Sequence, residues 1–71
     1  MNSDTLREIL RRAPFEPFQV RMSSGEIHDI RHPEFAMVTP GRLVVADPTT
    51  DRIAILSLFH ITEIRTMEPA A

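Results

Sequence analysis

The amino-acid sequence predicts a mostly β protein, a small antiparallel barrel of five strands with an N-terminal α-helix. A short stretch near the start has helical periodicity, and the rest consists of short apolar segments separated by Gly, Pro and Asp residues. With 71 residues the chain has room for one hydrophobic core. We therefore expect a single domain over 1–71, with the helix at about 5–13 and the barrel at about 18–67.

The helix is predicted over 5–13 because apolar residues recur there on one helical face. These residues are Leu6, Ile9, Leu10 and Ala13. Thr5 and Glu8 fit a capping box at the start of the helix, and Ser3 is a competing cap. Pro14 ends the helix. Since so short a helix is unstable alone, its apolar face is expected to close one end of the β core.

The strongest local signal is a hairpin over 18–30, where apolar and polar residues alternate on both sides of Gly25. A type I turn followed by a G1 bulge at Gly25 pairs Val20 with His28. The core face then holds Phe18, Val20, Met22, His28 and Ile30. A two-residue turn would instead bring Ile27 inward, and we prefer the bulged turn because it leaves Asp29 in solvent.

Four later segments are also predicted as strands. They are 35–38, 43–46, 52–58 and 62–67. A bend at 31–34 precedes them, and 39–42 fits a type II turn with Gly41 at its third position. The polar stretch 47–51 is a loop, 59–61 a short turn and 69–71 a frayed tail.

Composition narrows the function classes. The net charge is −2, and the eight basic residues, all arginine, are scattered along the chain. Both observations disfavour general nucleic-acid binding. There is no cysteine for a disulfide, no Cys/His zinc motif and no apolar run long enough for a membrane span. We expect a cytoplasmic protein with no membrane partner, no metal and no cofactor. Because so small a core needs help, self-association is the expected source of added stability.

The bend provides the best candidate binding surface, because it places both charge signs and an imidazole on a loop held by strands. The candidate binding residues are Arg31, His32, Glu34 and His60. A metal site at His28, His32 and Glu34 is the weaker alternative, since a strand and a bend separate these residues.

The strand predicted at 52–58 is apolar on both faces, so both faces are expected to be covered. One explanation is that this strand is central and is covered by the barrel and the helix. The other is that one of its faces contacts a second subunit. The candidate oligomer contact consists of Ile53, Ile55, Leu56 and Leu58.

A helix followed by five bent strands, with a Leu58-Phe59-His60-Ile61-Thr62 segment near the end, resembles the Sm-like family, which includes the RNA chaperone Hfq. His60 matches the histidine of the Hfq signature, Phe59 replaces its lysine, and Gly25 lies where Sm-like strands turn. The Pro-Phe-x-Pro-Phe and Arg-His-Pro-Glu-Phe segments are similar to a family of small bacterial proteins of unknown function. The resemblance implies an Sm-like or SH3-like barrel.

From these observations we expect a non-enzymatic binding or assembly module that self-associates. Its partner is expected to be itself or another protein. The alternative is an Sm-like RNA-binding protein, with His60 and exposed arginines at the RNA surface. A hydrolytic or metal-dependent enzyme is not expected, because the chain has no cysteine nucleophile, no Gly-rich phosphate loop and no serine with a readable partner.

Overall fold

One helix and six strands follow one another along residues 1–67, the part of the chain that this computed structural model describes. The elements are α1 (Ser3–Arg11), β1 (Phe18–Met22), β2 (Ile27–Ile30), β3 (Ala36–Val38), β4 (Arg42–Asp47), β5 (Arg52–Ser57) and β6 (Ile61–Thr66). Single 3₁₀ turns lie at Pro33–Phe35 and Leu58–His60. The tail predicted at 69–71 is outside the described residues.

The strands form two antiparallel three-stranded sheets, in the orders β2-β1-β6 and β3-β4-β5. The mostly β class and the N-terminal helix are confirmed. The predicted five-stranded barrel is wrong, since the described residues hold six strands and no closed barrel. The reason lies at Pro33–Phe35, where proline lacks an N–H and the 3₁₀ turn interrupts the extended backbone, so that β2 and β3 join different sheets.

The β1–β2 hairpin has the register that the bulged turn predicts, with Val20 opposite His28. The Met22 N–H donates to the Glu26 carbonyl at 2.8 Å, and the Gly25 N–H donates to the Met22 carbonyl at 2.9 Å. Gly25 has a φ of +90°, a conformation that glycine adopts without a Cβ penalty. The register buries Phe18, Val20, Met22 and Ile30, as predicted.

The helix begins earlier than predicted. The side chain of Asn2 accepts a hydrogen bond from the Asp4 N–H at 2.8 Å, so Asn2 is the N-cap rather than Thr5 or Ser3. α1 ends at Arg11, two positions before the predicted end at Ala13. An asparagine oxygen satisfies an otherwise unpaired N–H of the first turn, which lets the helix start at once.

The β3–β4 turn is not the predicted type II turn, because Gly41 does not have the positive φ that its third position requires. The side chain of Thr39 closes the turn instead: its Oγ1 accepts the Arg42 N–H at 3.0 Å. The Thr39 N–H also donates to the Arg42 carbonyl at 2.9 Å. β3 begins at Ala36 rather than Phe35, which belongs to the preceding 3₁₀ turn.

The two sheets and the helix enclose one core. Its buried members are Leu6, Phe18, Val20, Met22, Ile30, Leu43, Val45, Leu56, Leu58 and Ile61. Leu6 brings α1 onto this core, while Leu58, in the 3₁₀ turn between β5 and β6, carries the chain from one sheet to the other. The helix therefore packs on the β core as predicted.

Candidate functional site

A cleft of about 920 Å³ lies beside β2, between the bend after that strand and the end of the β4–β5 hairpin. Three predicted binding residues, Arg31, His32 and Glu34, line it together. The other lining residues are Gln19, Ile27, His28, Asp29, Phe35, Val45, Ala46, Asp47, Pro48 and Thr49. We call this feature the β2 cleft. Its volume lies in the range of small-ligand sites.

The bend supplies the charged wall of the β2 cleft. The Arg31 guanidinium contacts the Asp29 carboxylate at 3.4 Å, and both side chains are partly solvated. The His32 ring packs edge-on against Phe35, with 5.4 Å between the ring centroids. Phe35 thereby packs against the imidazole at the rim of the cleft.

On the opposite wall, Asp47 is held by its own loop. The Thr49 hydroxyl donates to Asp47 Oδ1 at 2.6 Å, and the Thr49 N–H donates to the same oxygen at 2.9 Å. The Thr49 hydroxyl bond is the main cause that lowers the pKa of Asp47 from its ordinary value. The hydrogen bonds from Thr49 thus favour the ionised form of this carboxylate.

His28 is the least satisfied polar group of the cleft. Its side chain is 16% exposed, and Nε2 is buried with no hydrogen-bond partner among the described residues. Glu26 Oε1 lies 3.5 Å from Nε2, an approach that lacks hydrogen-bond geometry. His28 faces inward, as the hairpin register predicts.

The structure does not bring His60 to the β2 cleft. His60 lies in the 3₁₀ turn before β6 and borders a separate depression of about 370 Å³. That depression, here called the β5 depression, is lined by Met22, Ser23, Ser24, Glu26, Ile55, Leu56, Ser57 and His60. The four predicted binding residues therefore belong to two different surfaces.

The candidate oligomer contact divides between the core and the surface. Leu56 and Leu58 are buried, whereas Ile53 and Ile55 are 67% and 64% exposed. Alternate residues of β5 thus point to opposite faces, and only one face is covered. β5 is also an edge strand, paired to β4 alone, so it is not a central strand wrapped by the barrel and the helix.

Sequence reasoning missed two residues that extend this apolar surface. Met37 lies opposite Val44, and Val44 lies opposite Ile55, so the three side chains form one row across the outer face of the sheet. Met37 is 59% exposed. A turn closed between Thr39 and Arg42 implies that Met37 lies opposite Val44. Because 35–38 is apolar throughout, however, the sequence does not show which of its side chains face the core and which face solvent.

Comparison with known protein families, with curated proteins and with solved structures found no match.

In residues 1–67 no group of three or more His, Asp or Glu side chains is placed to hold a metal ion. In the same part of the chain no helix is long and apolar enough to cross a membrane. From their lining residues, the β2 cleft can offer charged and hydrogen-bonding contacts to a ligand. The outer face of β3-β4-β5 can offer apolar contacts to a protein surface.

Proposed function

We propose that this protein is a non-enzymatic assembly module that self-associates at the exposed isoleucines of β5, on the outer face of the β3-β4-β5 sheet. One observation carries the proposal: Met37, half-buried Val44 and Ile55 form an apolar row with Ile53 beside it, and Met37, Ile53 and Ile55 are mostly exposed. The exposed face of an antiparallel sheet is normally polar. An apolar sheet face in a soluble protein is typical of an interaction surface.

The size of this surface sets the expected affinity. Burying an isoleucine completely contributes about 1.5–3 kcal/mol, and Ile53 and Ile55 have about two-thirds of that still to gain. Complete burial of the four isoleucines of a dimer would supply at most about 4–8 kcal/mol, against an association cost of about 4–15 kcal/mol. Side-chain burial alone therefore does not give a tight complex, and with backbone hydrogen bonds added we expect a weak, reversible one.

An Sm-like or SH3-like relationship is part of the proposal. β2 and β3 are consecutive, and the proposal takes them, on either side of the 3₁₀ turn at Pro33–Phe35, as counterparts of one bent strand. β6 returns to pair with β1. Since the described residues hold six strands and no closed barrel, the proposed relationship is to an open version of such barrels.

RNA binding receives less support than self-association. Five of the eight arginines form ion pairs with acidic side chains of residues 1–67. These are Arg7, Arg12, Arg21, Arg31 and Arg65. Pairing on this scale leaves no cluster of free guanidinium groups to neutralise phosphates. His60 borders the β5 depression, next to Ile55 and Leu56, rather than a basic surface.

The proposal is tested by sedimentation equilibrium from micromolar to millimolar protein. Ile53→Thr and Ile55→Thr each keep a β-branched side chain at an exposed position, so the fold should survive and association should weaken. Ile27→Thr is the matched control, because Ile27 is also an exposed strand isoleucine (44%) but lies on the other sheet. A wild-type protein that stays monomeric at millimolar concentration would contradict the proposal.

A further inference from the structure

Backbone groups along the outer edge of β5 have no strand to pair with in the monomer. The Leu58 N–H donates to the Gly41 carbonyl at 3.2 Å, in line with the β4–β5 register that sets Leu56 opposite Leu43. Hydrogen-bonded pairs alternate along an antiparallel ladder, so the amides of Leu56 and Ala54 face β4. The amides that face the open edge are those of Ile53, Ile55 and Ser57.

The other strand edges are protected against pairing. β2 carries His28 and Asp29, and β6 carries Glu63 and Arg65. β3 is only three residues long, and α1 packs beside it. Charged side chains and short length are the features by which proteins block edge-to-edge contact. Beyond Arg52, β5 has neither feature.

We propose that β5 pairs with β5 of a second copy of this chain, antiparallel and about a twofold axis, with Ile53 of each copy opposite Ile55 of the other. The inference rests on the proposed self-association and adds the strand and the register. Two β3-β4-β5 sheets then join into one sheet of six strands. A twofold contact uses the same surface on both copies, so the assembly closes as a dimer.

The register follows from which residues can face one another. Open-edge amides must meet, so Ile53 lies opposite Ile53, Ile55 or Ser57 of the second copy. The first register leaves the two Arg52 side chains offset by about 7 Å along the strand, within the range of charge repulsion. The third places Ile53 opposite a polar serine. The second forms two Ile–Ile pairs and offsets the two arginines by about 13 Å.

Charge complementarity at the β5 depression supports the same register. With Ile53 opposite Ile55, Arg52 of the second copy lies opposite Leu56. Directly opposed side chains share a face of the sheet. Leu56 points to the inner side, toward the β1–β2 turn, where Glu26 lines the depression with 65% of its side chain exposed. Arg52 has no ion pair within residues 1–67. The twofold axis repeats the Arg52–Glu26 contact.

Charge exchange tests this contact. Arg52→Glu and Glu26→Arg should each weaken dimerisation about tenfold, because two opposite-charge contacts become repulsive. The double variant should return to within about twofold of the wild-type dissociation constant. Arg11→Glu is the control: Arg11 is an exposed arginine in the last turn of α1, outside the β3-β4-β5 sheet, and its reversal changes the net charge equally.

Disulfide trapping tests the register directly, since the protein has no cysteine. Opposed residues of a hydrogen-bonded pair are about 5.5 Å apart between Cα atoms, which a disulfide can bridge. Ile53→Cys mixed with Ile55→Cys should give a covalent dimer on oxidation, while each variant alone should not. Ile27→Cys mixed with Ile55→Cys is the control.

Amide hydrogen exchange of the wild-type protein supplies a test without substitution. The Ile53 and Ile55 amides should become protected as concentration rises, whereas those of Ala54 and Leu56 are protected throughout. Self-association without this protection, or cross-linking of Ile55→Cys with Thr62→Cys on β6, would overturn the β5 pairing and leave the proposed function standing. Cross-linking of Ile55→Cys alone would overturn the register, because it sets Ile55 of one copy opposite Ile55 of the other. A monomer at every concentration would overturn both.

Discussion

Gly25 and Gly41 occupy two turns that look alike in sequence but differ in backbone conformation. Gly25 has a φ of +90°, whereas Gly41 lies outside the left-handed region. A Cβ added at either position would meet no atom within 4 Å. Any difference between the two alanine variants therefore reports the backbone and not steric crowding.

We expect Gly25→Ala to lower the free energy of unfolding by about 1–2 kcal/mol, because an L-residue is strained at positive φ. Gly41→Ala should change it little, or raise it slightly by restricting the unfolded chain. Urea denaturation of both variants measures the difference. Equal destabilisation would mean that the positive φ at Gly25 carries no special cost for an alanine.

At the scale of elements, α1 depends on its cap and on Leu6. The Asn2 side chain accepts a hydrogen bond from the Asp4 N–H, and Leu6 is fully buried against the sheets. The remaining first-turn residue of interest, Thr5, is exposed and was expected to form the cap. The helix is nine residues long, so neither contact has a long hydrogen-bonded segment to compensate for its loss.

Asn2→Ala should therefore cost about 1 kcal/mol of unfolding free energy, the typical value of a helix cap. Thr5→Ala should cost less than about 0.5 kcal/mol, since an exposed helical position favours alanine. Thermal unfolding followed by circular dichroism compares the two. A larger loss for Thr5→Ala than for Asn2→Ala would restore the capping box with Glu8.

The elements that were predicted correctly are those whose signals are local. Alternation on both sides of Gly25 sufficed for the register of the β1–β2 hairpin, and spacing of apolar residues sufficed for the existence of α1. Closure of a barrel depends on hydrogen bonds between strands distant in sequence, and the pattern around Pro33 does not say whether the ladder continues through it. The prediction of a closed barrel was wrong because β2 and β3, on either side of this bend, belong to different sheets.

The candidate site divides in the same way. Arg31, His32 and Glu34 are neighbours in sequence, and the bend keeps them together in the β2 cleft. His60 was grouped with them through the resemblance to Hfq, and only the tertiary fold shows that it lies elsewhere. For β5 the sequence indicated a strand apolar on both faces, but which face is open depends on the sheet order.

At the scale of the whole molecule, the open face is not a sign of loose packing. The radius of gyration is 11.4 Å, close to the value of about 11 Å expected for a folded chain of this length. One core already uses residues from both sheets and the helix. Met37, Ile53 and Ile55 thus remain exposed on a compact protein, and in the proposed dimer a second copy would bury part of the two isoleucines.

Self-association of this kind makes stability depend on protein concentration. Because the dimer forms only from folded chains, mass action raises the Tm as concentration exceeds the dissociation constant. For a domain of this size we expect a rise of about 3–5 °C for each tenfold increase in concentration. Arg52→Glu should displace this dependence to about tenfold higher concentration. It should also lower the Tm of the dilute protein slightly, because Asp47 lies directly opposite Arg52 in the β4–β5 ladder. Calorimetry over a hundredfold concentration range measures both slopes, and a wild-type Tm independent of concentration would show that folding gains nothing from a second copy.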